Sequence, residues 1–453
     1  MRRALFLVLG LAVSVVVVLA LWVVLRNARD EVLEPAAATA LANPHADVAP
    51  ADNLYFELIA FDVRDAAVPA EVGRAMVGRY RAARRGSYDW NLDPAVARTP
   101  FAGDRLDLCS PDPSRTPCLA RAAAHPRELQ DLVDANRRLL ERYRRVASYH
   151  RLEYPVPLTP DSPLPAWQSF MAGKHLLMSE IALGAVAGQA DAAALRLRDD
   201  ALFTRRLLAE RDITLIDKMV LAVAFRQDLQ LAGELLRAAT LSRVALQAIA
   251  ALAAPMTDAE RSLAGPYGRE FEIAAAAFAP LAQPANADRF VSANGADRRW
   301  AGLGGRVTRY FYQPNATLNL AWRQTLSMQA AAGMACERQV HGGPGPAPSP
   351  GASVLEATYN PIGKGLLANR PFDYAVYPHR LCELAKLQRL VALHVAIRDQ
   401  AIPDARVAAF VAAGGEAYRD PLTGRPFRFD PARRAFDVQF EDRGFAGLGP
   451  WAL

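Results

Sequence analysis

Residues 166–212 read AWQSFMAGKHLLMSEIALGAVAGQADAAALRLRDDALFTRRLLAERD, and this stretch decides the architecture. It divides into two long helices, 166–187 and 191–210, at the joint Gly188-Gln189-Ala190. A joint this short turns the chain straight back, so the two helices become antiparallel neighbours. The pattern continues with helices over 213–225 and 228–251, separated by Arg211-Asp212 and Arg226-Gln227. Within 213–224, Ile216, Met219, Val220 and Val223 form an apolar face; Lys218 falls away from it and is expected in solvent. Further on, Thr257 and Glu260 make a capping-box signature. Pro266 must kink or restart the next helix, which runs to about residue 278. Region 156–282 is therefore expected to be a helical-hairpin array, and the fold class mainly α.

Upstream, prolines 155, 157, 160, 163 and 165 interrupt the chain and set a boundary with an N-terminal helical region, 51–155. There Asp52 is expected to cap a short helix through Phe61, and Pro69 to start one reaching about Arg84. Residues 86–124 are loop-rich and contain Trp90. Residues 126–151 keep the helical period through Leu129, Val133, Leu140 and Tyr143, while Glu128, Arg138, Glu141, Arg142 and Arg145 read as a solvated face. Downstream, 283–413 forms a C-terminal helical region. Its start, 283–314, has little period; Asn315 is expected to cap a helix to about Glu337; 342–351 is a Gly/Pro-rich flexible loop. The stretch 379–399 is apolar on most sides and predicts a central helix, with a short one after it over 404–413. The tail, 414–453, predicts a small β-hairpin, 426–429 against 435–440, after the turn Asp420-Pro421-Leu422-Thr423-Gly424.

The N-terminus carries the clearest signal. Residues 4–25 are apolar, uncharged and free of proline, and these 22 residues at ~1.5 Å each cover a bilayer core of ~30 Å. Arg2 and Arg3 precede the run; Arg26 and Arg29 come after it, with Asp30, Glu31 and Glu34. Basic residues tie two against two, and the short stub (1–3) favours a cytoplasmic N-terminus with the body outside. A cleaved signal peptide is the rival. Its apolar core is usually about 7–15 residues with a cleavage site close behind. Here Ala38-Thr39-Ala40 and Ala40-Leu41-Ala42 lie more than ten residues past Leu25. An uncleaved anchor is expected, touching lipid through 4–25, with 26–50 as an Ala/Pro-rich spacer.

Composition bounds the rest. At 52% hydrophobic and 22% charged residues, wholesale disorder is excluded. The net charge of +6 does not indicate nucleic acid. The basic residues are nearly all Arg, apart from Lys174, Lys218, Lys364 and Lys386, and they are interleaved with acids and lack an aromatic-basic stripe. Arg- and Ala-heavy usage fits a GC-rich bacterial genome, and the positive charge of an anchored domain is compatible with a mild attraction to anionic lipid heads. All four cysteines lie beyond the anchor, which suggests two disulfides in an exported chain. Three pairings are open. Cys109 and Cys118 flank the turn-rich Ser110-Pro111-Asp112-Pro113-Ser114, leaving Cys336 with Cys382. Zinc needs tighter spacing, and no Cys-x-x-Cys is present.

Catalytic patterns are scarce in the sequence. Gly-x-Ser-x-Gly and His-Glu-x-x-His are absent, and Gly363-Lys364-Gly365 lacks the order of a phosphate loop. Asn315-Ala316-Thr317 is formally a glycosylation sequon but reads as a helix cap. His175 and Ser179, four apart on one face, pair a base with a hydroxyl; His379 and Glu383, one turn apart, are two ligands without a third. Asp217 lies at the edge of the apolar face, expected to pair with a basic neighbour or line a cleft. No metal or cofactor is indicated.

The hairpin turn from Gly188 to Ala193 resembles that of a tetratricopeptide repeat, over one helix pair and without a second copy at a ~34-residue period. Four segments together resemble a family of N-terminally anchored proteobacterial envelope proteins of unassigned activity. They are Asn53-Leu54-Tyr55-Phe56-Glu57-Leu58, Thr214-Leu215-Ile216-Asp217-Lys218-Met219, Pro314-Asn315-Ala316-Thr317-Leu318-Asn319 and Asp420-Pro421-Leu422-Thr423-Gly424-Arg425-Pro426-Phe427. That resemblance implies an inner-membrane, single-pass protein with a periplasmic body. The expected function is that of an accessory or scaffold protein presenting helical surfaces to an envelope partner. A periplasmic hydrolase acting on an envelope polymer is the alternative.

Overall fold

The helix Leu215–Ala238 organises the body. It is buried along most of its length, polar residues included, and packs against Trp167–Val186, Ala190–Leu208, Ala264–Phe278 and Val376–Asp399. The expected joint at Arg226-Gln227 does not exist. Both residues are helical and buried, and the Arg226 guanidinium lies 5.4 Å over the Phe445 ring. Neither residue breaks a helix, and packing absorbs their polarity. The break comes after Ala238, where Ser242 caps Arg243–Leu252 by accepting from the Ala245 amide. Between Trp167–Val186 and Ala190–Leu208 the chain turns through Gly188 at φ +86°, a conformation glycine adopts without Cβ strain. The capping box of Thr257 and Glu260 forms as expected.

The computed structural model describes residues 2–42, 49, 51–64, 67–83, 98–109, 116–238, 240–283, 286, 298–337, 354–368, 376–442, 445 and 448–453. Trp90, the 110–114 turn and the 342–351 loop lie outside the described residues. The fold is mainly α, with one small antiparallel sheet.

In the N-terminal region the cap of Leu54–Ile59 is Asn53, not Asp52. Asn53 accepts from the Tyr55 amide while donating to the Glu153 carbonyl, so it also sews two distant segments together. The helix Pro69–Ala82 crosses this one so closely that a Cβ on Gly73 would sit 1.9 Å from the Phe56 carbonyl oxygen. The single helix expected over 126–151 is two, Pro126–Ala135 and Arg137–Val146. They part at Asn136, whose carboxamide bonds both backbone groups of Ala102. Arg142, expected in solvent, is buried and donates to the carbonyls of Phe61, Val63 and Arg64.

Both cysteine pairs are joined as expected, Cys109–Cys118 and Cys336–Cys382, with Cα separations of 5.1 and 5.7 Å. The second ties the segment beyond Pro314–Ala332 to Val376–Asp399. At the C-terminus the expected hairpin, β1 (Arg428–Asp430) and β2 (Ala435–Asp437), gains a third strand, β3 (Trp451–Ala452). Trp451 is buried against Gly233 of the central helix, where a Cβ would meet the indole at 2.3 Å, and Arg237 lies 5.2 Å over its ring.

The anchor helix, Arg2–Arg26, contains the window Leu9–Arg26, with a mean hydropathy of 2.5 and no burial against the body. The segment after it, through residue 42, is not the free spacer expected. Asn27 is buried: its side chain donates to the Thr358 carbonyl and accepts from the Asn360 amide, and its carbonyl accepts from Gln313. Asp30 accepts from the amides of Asn315 and Ala316, and so caps Pro314–Ala332 from across the sequence. Asn315, expected to be the cap, instead donates its carboxamide to the Glu31 carbonyl. A short helix, Pro35–Ala42, buries Ala37 in a second small core with Phe271, Ala321 and Leu367. Arg298–Phe311 is a helix within the stretch expected to lack period.

Candidate functional site

The residues singled out in the sequence separate into three places. The first surrounds Lys174, which enters the core from the face of Trp167–Val186 and is completely buried. Its ammonium lies 2.6 Å from Asp200 and 2.7 Å from Asp228, and Tyr143 donates to the other Asp200 oxygen at 2.8 Å. Burial alone disfavours the Lys174 ammonium, but the two carboxylates outweigh it and hold its pKa above the usual value. Burial pushes the Asp228 carboxyl well up. The network latches four helices, Arg137–Val146, Trp167–Val186, Ala190–Leu208 and Leu215–Ala238, and is closed to solvent. His175 and Ser179 stand beside it without making a base–hydroxyl pair. Ser179 Oγ donates to the His175 carbonyl and accepts from the Cys109 amide, while the His175 ring faces Gln227 at 3.2 Å. Ser179 thus braces the first disulfide. Sequence reading missed Lys174, although a lysine within so apolar a helix was the available signal.

The second place is the start of the central helix. Asp217 is buried, with no cation among its hydrogen-bond donors: they are the Tyr154 hydroxyl (2.8 Å), the Trp167 indole (2.8 Å) and the Thr214 amide (2.8 Å). Thr214 Oγ1 in turn accepts from the Asp217 amide, a reciprocal cap that a T-x-x-D reading would have found. Burial raises the Asp217 pKa. Lys218, expected in solvent, is completely buried and donates to the carbonyls of Leu208 and Ala259. It serves the open carbonyl end of Ala190–Leu208, and burial lowers its pKa to about 7.

The third place joins the buried helix to the tail. His379 approaches Glu383 at 3.5 Å, and its pKa is raised by that contact. Glu383 is completely buried, meets Lys386 at 3.3 Å and accepts from the Glu441 amide. Among the described residues no group of three or more His, Cys, Asp or Glu is arranged to hold a metal ion.

The described residues line a polar cavity and an apolar one, among others. The polar one, about 390 Å³, is lined in part by Asp62, Phe101, Asn136, Arg142 and Ser169. Ser169 donates to Asp62 at 2.8 Å, Arg98 reaches the same oxygen at 3.4 Å, and Arg142 is spent on backbone carbonyls. The other, about 480 Å³, is an apolar groove. The central helix supplies Leu215, Ile216, Met219, Val220 and Val223; Met171, Tyr377, Glu270 and Arg380 complete it. The apolar face read from the sequence is therefore turned toward an opening, and Ile216 is 53% exposed there. The five helix positions form a stripe about 12 Å long at ~1.5 Å per residue.

Compared with protein-family models, curated proteins and solved structures, the chain matches none of them.

Proposed function

We propose that this chain is a single-pass accessory protein of the bacterial inner membrane, its body in the periplasm, which holds an apolar helical segment of an envelope partner. The observation that carries this reading is the groove along Leu215–Val223. An apolar stripe on an otherwise solvated surface costs solvation unless it is covered. Its length suits about two turns of an amphipathic helix, and Met171 and Met219 supply side chains that adapt to a partner's shape. Export is supported by the two disulfides, which persist in oxidising compartments. Retention of the anchor is supported by the contacts of residues 27–37. Cleavage after Ala40 or Ala42 would strip Asn27, Asp30 and Ala37 from partners they hold in the body. The hydrolase alternative requires a nucleophile beside a base. In the polar cavity Ser169 and Asp62 form a hydrogen-bonded pair whose carboxylate also takes Arg98, an arrangement that braces a loop.

A photoreactive side chain at Ile216 in the full chain, irradiated in cells, tests the proposal. The expected product is an adduct with an apolar helical peptide of another envelope protein, lost in Val220→Asp and absent when the probe is at exposed Leu202. An adduct indifferent to Val220→Asp, or adducts with lipid alone, would overturn it.

A further inference from the structure

The helix Arg298–Phe311 leaves one face without protein cover. Leu303, Val307 and Tyr310 are 56%, 48% and 38% exposed. At 100° per residue they fall within an arc of about 60°. Arg306 and Arg309, both exposed, flank that arc on one side, while Gly305 and Thr308 are buried on the opposite side. The helix carries four arginines and no acid. Its position relative to the anchor is fixed by a contact: the Tyr310 hydroxyl donates to the Val24 carbonyl at 2.6 Å. Val24 is the penultimate residue of the apolar run, ~1.5 Å from its end along the helix. Nearby, Arg26 lies 5.0 Å over the Trp22 ring, the aromatic-and-basic pairing of a membrane border.

From this geometry we infer that Arg298–Phe311 is a second membrane contact. It lies in the headgroup layer beside the anchor, with Leu303, Val307 and Tyr310 toward the acyl chains and Arg306 and Arg309 on lipid phosphates. The inference rests on the reading of residues 4–25 as a membrane span. If that helix spans the bilayer, its bond to Tyr310 places the end of Arg298–Phe311 at the hydrocarbon border. The apolar stripe then continues the lipid-facing surface of the anchor. An apolar face with arginines along its edge suits an anionic bilayer surface, where each basic residue is attracted to the lipid heads. The consequence is mechanical. A lone helix with a free spacer behind it lets a body tumble, whereas a docked anchor and a second contact fix the body's tilt and the direction in which the groove faces.

The test uses the full chain in nanodiscs of phosphatidylethanolamine and phosphatidylglycerol. Single cysteines (Val17→Cys, Leu202→Cys, Leu303→Cys, Val307→Cys) carry spin labels, since the four native cysteines are paired. Collision with oxygen and with a water-soluble nickel chelate reports depth. A ratio of oxygen to nickel at 303 and 307 severalfold above that at 202 is expected, with 17 higher still. Exchanging phosphatidylglycerol for phosphatidylcholine, or introducing Arg306→Gln with Arg309→Gln, should lower the ratio at 303 and 307 and leave 17 unchanged. Labels at 303 and 307 that match 202 while 17 stays in the bilayer overturn this inference alone. A label at 17 that matches 202 overturns the anchor reading and this inference with it. Protection of 303 and 307 from both reagents, with dipolar broadening between labels, would mean that a second copy covers the stripe and also overturns the proposal.

Discussion

Replacing Arg205 with methionine should be among the most damaging single changes in the body. Arg205 is buried on Ala190–Leu208 and grips Glu260 with two hydrogen bonds, of 2.6 and 2.9 Å. It also donates to the carbonyls of Leu252, Ala254 and Pro255 at 3.1, 2.7 and 3.0 Å. It therefore closes the end of Arg243–Leu252 and neutralises the capping glutamate of Asp258–Arg261 at the same time. Methionine keeps most of the aliphatic volume and removes all five donors. A buried ion pair broken on one side typically costs about 3–5 kcal/mol, because the remaining charge stays desolvated. Three carbonyls losing charged donors keep the figure toward the upper end. Pulse proteolysis of the detergent-solubilised full chain across a urea series reads that loss. The double variant Arg205→Met, Glu260→Met should lose less than the sum of the two single changes, because no charge is then stranded. The pH dependence gives a second check. Burial opposes ionisation of Glu260, but the bonds from Arg205 and the Thr257 amide outweigh it and leave its pKa below the usual value. Stability from a depressed carboxyl is present above the unfolded pKa of about 4.3 and is lost as pH falls through the folded value. The variant lacks this contribution, so the gap from wild type should hold from pH 7 to about pH 5 and narrow as pH falls below about 4.3. A loss below about 1 kcal/mol, the size of a surface pair, that is also indifferent to pH would refute the reasoning.

The two disulfides should differ in weight. In the chain-entropy model, closing a loop of ~10 residues is worth about 2.7 kcal/mol and one of ~47 about 4 kcal/mol. Cys336→Ser with Cys382→Ser should therefore shift the urea midpoint further than Cys109→Ser with Cys118→Ser, and the reverse order would discard that account. Lys218→Met should change how stability responds to alkali. With its folded pKa lowered to about 7, Lys218 imposes its full burial penalty below that pH. Between about 7 and the unfolded value near 10.4, only the unfolded chain holds the proton, so wild-type stability from this group rises with pH, by at most about 1.4 kcal/mol per unit. The advantage of methionine over wild type should shrink from pH 6.5 to 9.5, as read by proteolysis midpoints; parallel curves would contradict the burial cost.

How much was legible depended on whether the deciding force was local. The capping box at Thr257, the hairpin turn at Gly188 and the helix over 404–413 rest on contacts between near neighbours, and sequence reading places them. The helix break expected at Arg226-Gln227 failed because two polar residues resemble a joint until Phe445, far along the chain, stacks on the guanidinium. Lys218 and Arg142 were expected in solvent for the same reason: a charged side chain looks exposed until distant backbone carbonyls supply its partners. Asp217, expected to pair with a basic neighbour or line a cleft, is buried and bonded by neutral donors, Tyr154 and Trp167. The apolar face of Ile216, Met219, Val220 and Val223 was visible in the sequence, but apolarity alone cannot say whether a face meets the core or an opening.

The sequence by itself determined the mainly α class, the apolar N-terminal helix and the choice of cysteine partners. Periodicity, length against bilayer thickness and spacing are properties of short stretches, and they act before the chain folds. Only the tertiary structure decided that residues 27–42 join the body, that Asp30 caps a helix beginning at Pro314, and that β3 completes the sheet beneath the central helix. Each of these pairs groups separated by about fifteen to more than three hundred residues. A buried amide or carboxylate must find a partner somewhere, and which partner it finds is set by the packing of the whole chain.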